Sequence, residues 1–331
     1  MKSGRGRLTG YIMVLGAAAL WATLGLFYKG LIDGYGLSPL TVAFFRAALS
    51  FVILLSVLAL RRPAWLRVAR GDLPFFALFG LVGIAAFYIV YVYAVHLAGM
   101  AMAVVLMYTA PAWVTLIAWR FFGEGLDRPK LIALVLAFGG CVLVARAHDP
   151  AQVRLNAVGI LLGLGAGVTY GLYTIFNKRA LRRYNPWTTM LYALGFGTAF
   201  LLPVQTPSNL AAALQPSLLP WLALLALGPT LGSALLYAMG LERLPASVAS
   251  IVATLEPAIA AVLAVAVLGE TLTVSQAVGA LSIVSGVVFL SVGQSSPSRA
   301  EPEEQRHAHQ GHQAELQEDA AAEAAQNGLL G

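Results

Sequence analysis

The hydrocarbon interior of a bilayer is about 30 Å thick, so a crossing α-helix needs about 20 consecutive apolar residues. Ten runs near that length follow one another in this chain, at 8–28, 39–60, 73–95, 100–119, 131–145, 157–176, 187–204, 218–240, 246–268 and 276–293. The fifth is short, so nine is the competing count. Lipid offers exposed backbone no hydrogen-bond partner, and runs of this kind are therefore expected as helices. The fold class is read as an all-α integral membrane protein with ten transmembrane helices. Composition removes the soluble alternative. Of the 331 residues, 59% are hydrophobic and 11% charged, against roughly 25% charged in an ordinary globular chain.

The net charge of +6 does not point to nucleic acid, because no basic stripe interleaves with surface aromatics and the basic residues fall between apolar runs. Lys2, Arg5 and Arg7 precede the first run as they do in a secretory signal. That run is long for a signal core, however, and nine more follow, so an uncleaved first span is expected. Lys and Arg accumulate in cytoplasmic loops. An inside N-terminus places Arg61, Arg62, Arg67, Arg70, Arg120, Arg128, Lys130, Lys178, Arg179, Arg182, Arg183, Arg243, Arg299 and Arg306 on the same side as those first three. Lys29, Arg146 and Arg154 fall outside, and Arg46 lies within the second span. The predicted topology has both termini in the cytoplasm.

Residues 294–331 lose the large apolar side chains and read as a disordered cytoplasmic tail. His307, His309 and His312 there are read as incidental to a solvated segment rather than as a metal site. Cys141 stands alone and can form neither an internal disulfide nor a cysteine metal cage.

The chain also matches itself. A shift of 149 aligns Gly10, Leu15, Gly16, Ala17, Phe27 and Lys29 with Gly159, Leu164, Gly165, Ala166, Phe176 and Lys178. A shift of 146 aligns Ala103, Pro111, Ala112, Ala118, Gly123, Glu124 and Leu126 with Ala249, Pro257, Ala258, Ala264, Gly269, Glu270 and Leu272. Two five-span repeats, 8–146 and 157–293, are expected. Five is odd, so the second copy enters the membrane from the opposite side, with Glu124 cytoplasmic and Glu270 external. Inverted repeats of this kind build many secondary transporters, whose halves exchange roles around one midplane site.

Tyr108-Thr-Ala-Pro111 through Gly123-Glu124, Leu255-Glu256-Pro257 through Gly269-Glu270-Thr271-Leu272, and Arg46 after Phe44-Phe45 resemble the EamA family of the drug/metabolite transporter superfamily. The resemblance covers about residues 8–293. It implies a ten-helix inner-membrane carrier, usually an exporter of amino acids or other small metabolites, with a cavity lined by spans one, three, four, six, eight and nine. The second repeat departs from the first in lacking a counterpart of Arg46. The expected partners are a small-molecule substrate and the bilayer, with a homodimer left open. No cofactor or metal is expected.

An ionisable group within a span costs about 2.5–3.5 kcal/mol on insertion scales, so each one is a functional candidate. Two qualify. Glu256 lies near the midplane and is read as a cavity carboxylate that contacts a substrate amine or carries a proton, against a structural role beside Pro257. Arg46 is read mainly as a brace between helices, with an anionic substrate group as the alternative partner. Pro111 and Pro257 interrupt matched spans, and such interruptions point to a carrier site. Trp21, Tyr88, Tyr91, Tyr108, Tyr170 and Tyr237 are read as an apolar box with polar tips, suited to amphipathic metabolites. Thr109, Thr254 and Ser250 can bond substrate or neighbouring backbone. Glu124 and Glu270, at span ends, are read as caps or gates. Gly16, Gly139, Gly140, Gly165, Gly279 and Gly286 are assigned to close helix packing. A membrane enzyme is the main rival class, followed by a receptor or scaffold. The sequence carries no His-Glu-x-x-His pair, nucleophile elbow or Walker loop.

Overall fold

Short polar residues followed by proline start several of the long helices, since the side chain satisfies an orphan N–H and proline needs none. Ser38 accepts from the Thr41 N–H ahead of Pro39, and Asn185 accepts from the Thr188 N–H ahead of Pro186. Asp127 and Asn156 cap the Lys130 and Gly159 N–H groups in the same way.

The computed structural model describes residues 4–269 and 271–293. All secondary structure there is helical. Glu270, the histidines of the tail and the rest of 294–331 lie outside the described residues. Among the described residues, those up to Leu290 form one compact unit. The helices are α1 (Gly4–Ala22), α2 (Leu24–Asp33), α3 (Pro39–Arg61), α4 (Leu73–Phe79), α5 (Phe87–Ala98), α6 (Met100–Met107), α7 (Ala110–Phe122), α8 (Arg128–Val144), α9 (Ala157–Ala180), α10 (Pro186–Leu201), α11 (Pro207–Ala213), α12 (Leu219–Leu225), α13 (Ser233–Leu241), α14 (Ala246–Ala253), α15 (Leu255–Leu268) and α16 (Val274–Gly293).

Among the described residues, nine continuous helical stretches are long and apolar enough to cross a membrane. The fifth run of the sequence, α8, is helical but has 17 residues, or about 25 Å at helical rise, which leaves it below that count. Large apolar side chains such as Leu8, Val135, Leu161, Val267 and Leu281 are exposed over the outer surface, an arrangement suited to lipid rather than water.

Four long helical stretches are interrupted at matched positions. Two turn through π-helix, Gly80–Ala86 between α4 and α5 and Ala226–Gly232 between α12 and α13, related by the same shift of 146. The other two break outright, α6 from α7 at Tyr108 and Thr109, and α14 from α15 at Thr254. Pro111 and Pro257 lie just past these breaks, where they withhold the N–H groups that would have bonded Met107 and Ala253. Gly123 and Gly269 end α7 and α15 with φ of 69° and 67°, the left-handed cap that glycine adopts without strain.

Close packing centres on α9, whose Gly159, Gly163, Gly167 and Gly171 form a stripe against α5, α6 and α7. A methyl group on Gly167 would lie 2.6 Å from the Leu106 carbonyl oxygen. Gly140 and Gly279 likewise bring α8 against α16, and Gly16 and Gly286 face neighbouring side chains. The packing assignment is corrected for Gly139 and Gly165, whose Cβ positions meet nothing within 4 Å. They stand on the other sides of helices whose small residues do pack.

Candidate functional site

The interrupted helices surround a cavity of about 580 Å³. Its wall includes Trp21 and Tyr28 from α1 and α2, Arg46 from α3, and Phe87, Tyr88 and Tyr91 from α5. Tyr108 and Pro257 come from the two breaks, Tyr170 and Tyr173 from α9, Thr230 from the second π segment, and Glu256 from α15. Spans two and seven contribute as well, through Pro39, Ala43 and Arg46 and through Met190 and Leu194, so the lining is wider than the six spans the resemblance implies. The cavity extends to exposed Lys29, Asp33 and Met100 at one end of the bundle.

Toward the opposite end it is floored by a connected aromatic layer. The Trp21 ring lies 5.1 Å from Tyr237 and 6.3 Å from Tyr170, Tyr173 bridges Tyr170 and Tyr237, and Phe87 stacks on Tyr170 at 5.2 Å. Below the layer is a small void of about 10 Å³ bordered by Pro111, Thr174, Tyr237, Ser250 and Thr254. Tyr237 and Thr174 share a hydrogen bond of 2.9 Å there. Thr254 and Ser250 donate to the Ile251 and Ser247 carbonyls. Thr109 faces away from both spaces, donating to the Leu106 carbonyl and accepting from the Trp113 indole.

The two charges within spans both reach the large cavity. Arg46 is 6% exposed. Its Nε donates to Thr230 Oγ1 at 3.0 Å, its guanidinium lies 5.2 Å from the Tyr88 ring centre, and Tyr28 lines the same cavity. Glu256 is half-buried and lines the cavity together with Tyr108 from the break between α6 and α7. Arg46 and Glu256 interact electrostatically, but they are not among the ion pairs of the described residues. The site therefore offers a guanidinium and a carboxyl group set among aromatic walls.

At the floored end, the Glu124 carboxylate caps α14. It accepts from the Ala246 N–H at 2.6 Å and the Ser247 N–H at 3.1 Å, and also takes the Ser247 hydroxyl. Lys178 donates to the Leu241 and Leu244 carbonyls nearby. Sequence reasoning did not reach Tyr28, Phe87, Tyr173, Met190 or Thr230. Of these, only Thr230 follows a legible local signal, the proline at 229.

A multi-pass helical bundle with a central cavity between interrupted helices is the build of a membrane transporter. The chain matches the model of the EamA-like transporter family over residues 8–146 and 157–292, and it belongs to that family. It is 29% identical over 278 residues to an Archaeoglobus fulgidus protein named "Uncharacterized transporter", covering 82% of this chain and 93% of that one. A Streptantibioticus cattleyicolor protein named "Probable terminal-alkyne amino-acid exporter" is 31% identical over 175 residues, 52% of this chain and 56% of that one. A solved crystal structure superposes with a TM-score of 0.70 at 17% identity, covering 86% of this chain and 96% of its own, which shows a shared fold.

Proposed function

We propose that this transporter has ten membrane spans in two inverted repeats, 8–146 and 157–293, with both termini cytoplasmic and α8 as the fifth span. It exports amino acids or related small metabolites by alternating access and catalyses no reaction. The observation that carries this reading is the cavity itself, which sits at two matched helix breaks and presents Arg46 and Glu256 from opposite repeats among aromatic walls. A zwitterion with an apolar side chain complements that arrangement at both ends and along its length. The exporter named among the relatives supports the same substrate class.

In the proposed orientation the cavity opens outward, and the aromatic floor and Glu124 close the cytoplasmic side. Trp21, Tyr88, Tyr91, Tyr108 and Tyr170 line the substrate space, while Tyr237 and Thr254 border the path beneath it. Glu256 contacts the substrate amine or carries the coupling proton. Purified protein in liposomes, assayed for exchange of labelled aromatic, branched-chain and basic amino acids across imposed pH gradients, tests the reading. Saturable exchange of at least one of them is expected. No flux above empty liposomes for any member of the panel would refute the amino-acid assignment.

A further inference from the structure

The second π segment contains Pro229, which has no N–H to give the Leu225 carbonyl. Thr230 fills that place with its hydroxyl, donating to the Leu225 oxygen at 2.8 Å. A hydroxyl has one proton and two lone pairs. With the proton committed to Leu225, Thr230 Oγ1 can only accept from Arg46, and it does so from Nε at 3.0 Å. The matched position in the first π segment is Ile84, so the device occurs once.

The donor used on Thr230 matters more than its number. Nε is the inner nitrogen of the guanidinium, and tying it down fixes the plane of the whole group while leaving the outer Nη edge for other partners. The Tyr88 ring lies against the group. A brace arginine would spend its outer donors on helix carbonyls; no such bond is made by Arg46 among the described residues. Glu256 interacts with this buried guanidinium from across the cavity but is not among the ion pairs of the described residues, and a carboxylate received end-on at the two outer Nη groups is the partner that edge matches.

We propose that Arg46 is a receptor for a carboxylate on the transported molecule, and that Thr230, locked as an acceptor by Pro229, is the residue that positions it. This rests on the reading of the cavity as the transport site. The deciding experiment measures binding rather than flux. Purified full-length protein is titrated calorimetrically with 3-phenylpropanoate and with the isosteric 3-phenylpropanamide, which differ at the group facing Arg46.

Wild-type protein is expected to prefer the acid by about 10- to 100-fold, the range of a charge-assisted bond. Thr230→Val is expected to bring the ratio close to one while Thr230→Ser restores it, a rescue that a packing role alone does not predict. Arg46→Lys keeps the charge but not the fork, and an intermediate ratio is expected. If Thr230→Val does not accumulate, Thr230→Ala removes the hydroxyl without the β-branch. Equal affinity for acid and amide in the wild type, or no binding of the acid, overturns the receptor. An acid preference that survives loss of the hydroxyl overturns the positioning role. The same preparation in liposomes separates the two levels: acid preference without flux leaves the receptor standing and removes the transport reading, whereas flux without acid preference does the reverse.

Discussion

Replacing Glu124 with glutamine changes one atom of a contact that joins the end of α7 to the start of α14. The first N–H groups of a helix have no partner within it and carry the positive end of its dipole. Here two of them, with the Ser247 hydroxyl, converge on a single carboxylate. Glutamine keeps one acceptor oxygen but turns an NH₂ toward donors, so one charge-assisted interaction and the dipole contribution are lost together. Such a bond is worth about 1.5–3 kcal/mol. Partial exposure of Glu124 screens the pair, and about 2 kcal/mol is a reasonable net figure. In the proposed alternating-access cycle, that bias would move the ratio of closed to open states at this end by about 30-fold. A cysteine at Ser250, beneath the aromatic floor, reports the change when Cys141, itself fully buried, is replaced by serine. Membrane-impermeant maleimide applied from the Glu124 side is expected to label Ser250→Cys many times faster in the Glu124→Gln background. Ser247→Ala should act in the same direction and less than additively with it, since both remove one contact. Unchanged labelling from either face would show that the cap is not part of the closure.

Glu256→Gln should abolish any dependence of flux on a pH gradient; exchange that keeps both its rate and its pH profile removes the carboxylate from coupling and from amine binding. Gly167→Ala should destabilise the protein by about 1–3 kcal/mol through overpacking against Leu106 and Thr109. Gly165→Ala, whose methyl meets nothing within 4 Å, should be neutral or stabilising by up to about 1 kcal/mol, and thermal melts in detergent compare the two. Gly123→Ala, at a φ of 69°, should cost about 1 kcal/mol and share part of the Glu124→Gln labelling phenotype, because the left-handed turn directs that carboxylate.

The helices were legible because lipid-crossing length is written directly as a run of apolar residues; the ninth run, 246–268, is the same stretch that α14 and α15 occupy. Its interruption was legible too, through Pro257 and its match to Pro111. The π segments were not. A shift from i+4 to i+5 bonding leaves no mark on hydrophobic periodicity, and Gly80–Ala86 contains no proline to signal it. Nor does an all-apolar helix announce which side faces its neighbours, which is why Gly165 and Gly139 were assigned to contacts that Gly163, Gly167 and Gly140 make. Tyr173 and Met190 were hidden for the same reason. Each is one more apolar residue in a run, and only the packing of α9 and α10 against the first π segment, with the Tyr173 hydroxyl on the Met190 sulfur, turns them toward the cavity.

The repeat match fails at the residues that carry charge. Ile84 stands where Thr230 does, Ala110 where Glu256 does, and the second repeat has no arginine in α10 to answer Arg46. In the proposed arrangement of two repeats, the site thus takes its guanidinium from one half and its carboxyl group from the other. In the proposed alternating-access cycle, rocking the halves would reverse which side of the membrane the site sees without exchanging these two groups. A cargo held at both ends would cross without turning over, and a mirror-image cargo would present its side chain to a different wall. Selectivity for handedness would then rest on the wall that meets the side chain, the third contact beyond the two held ends.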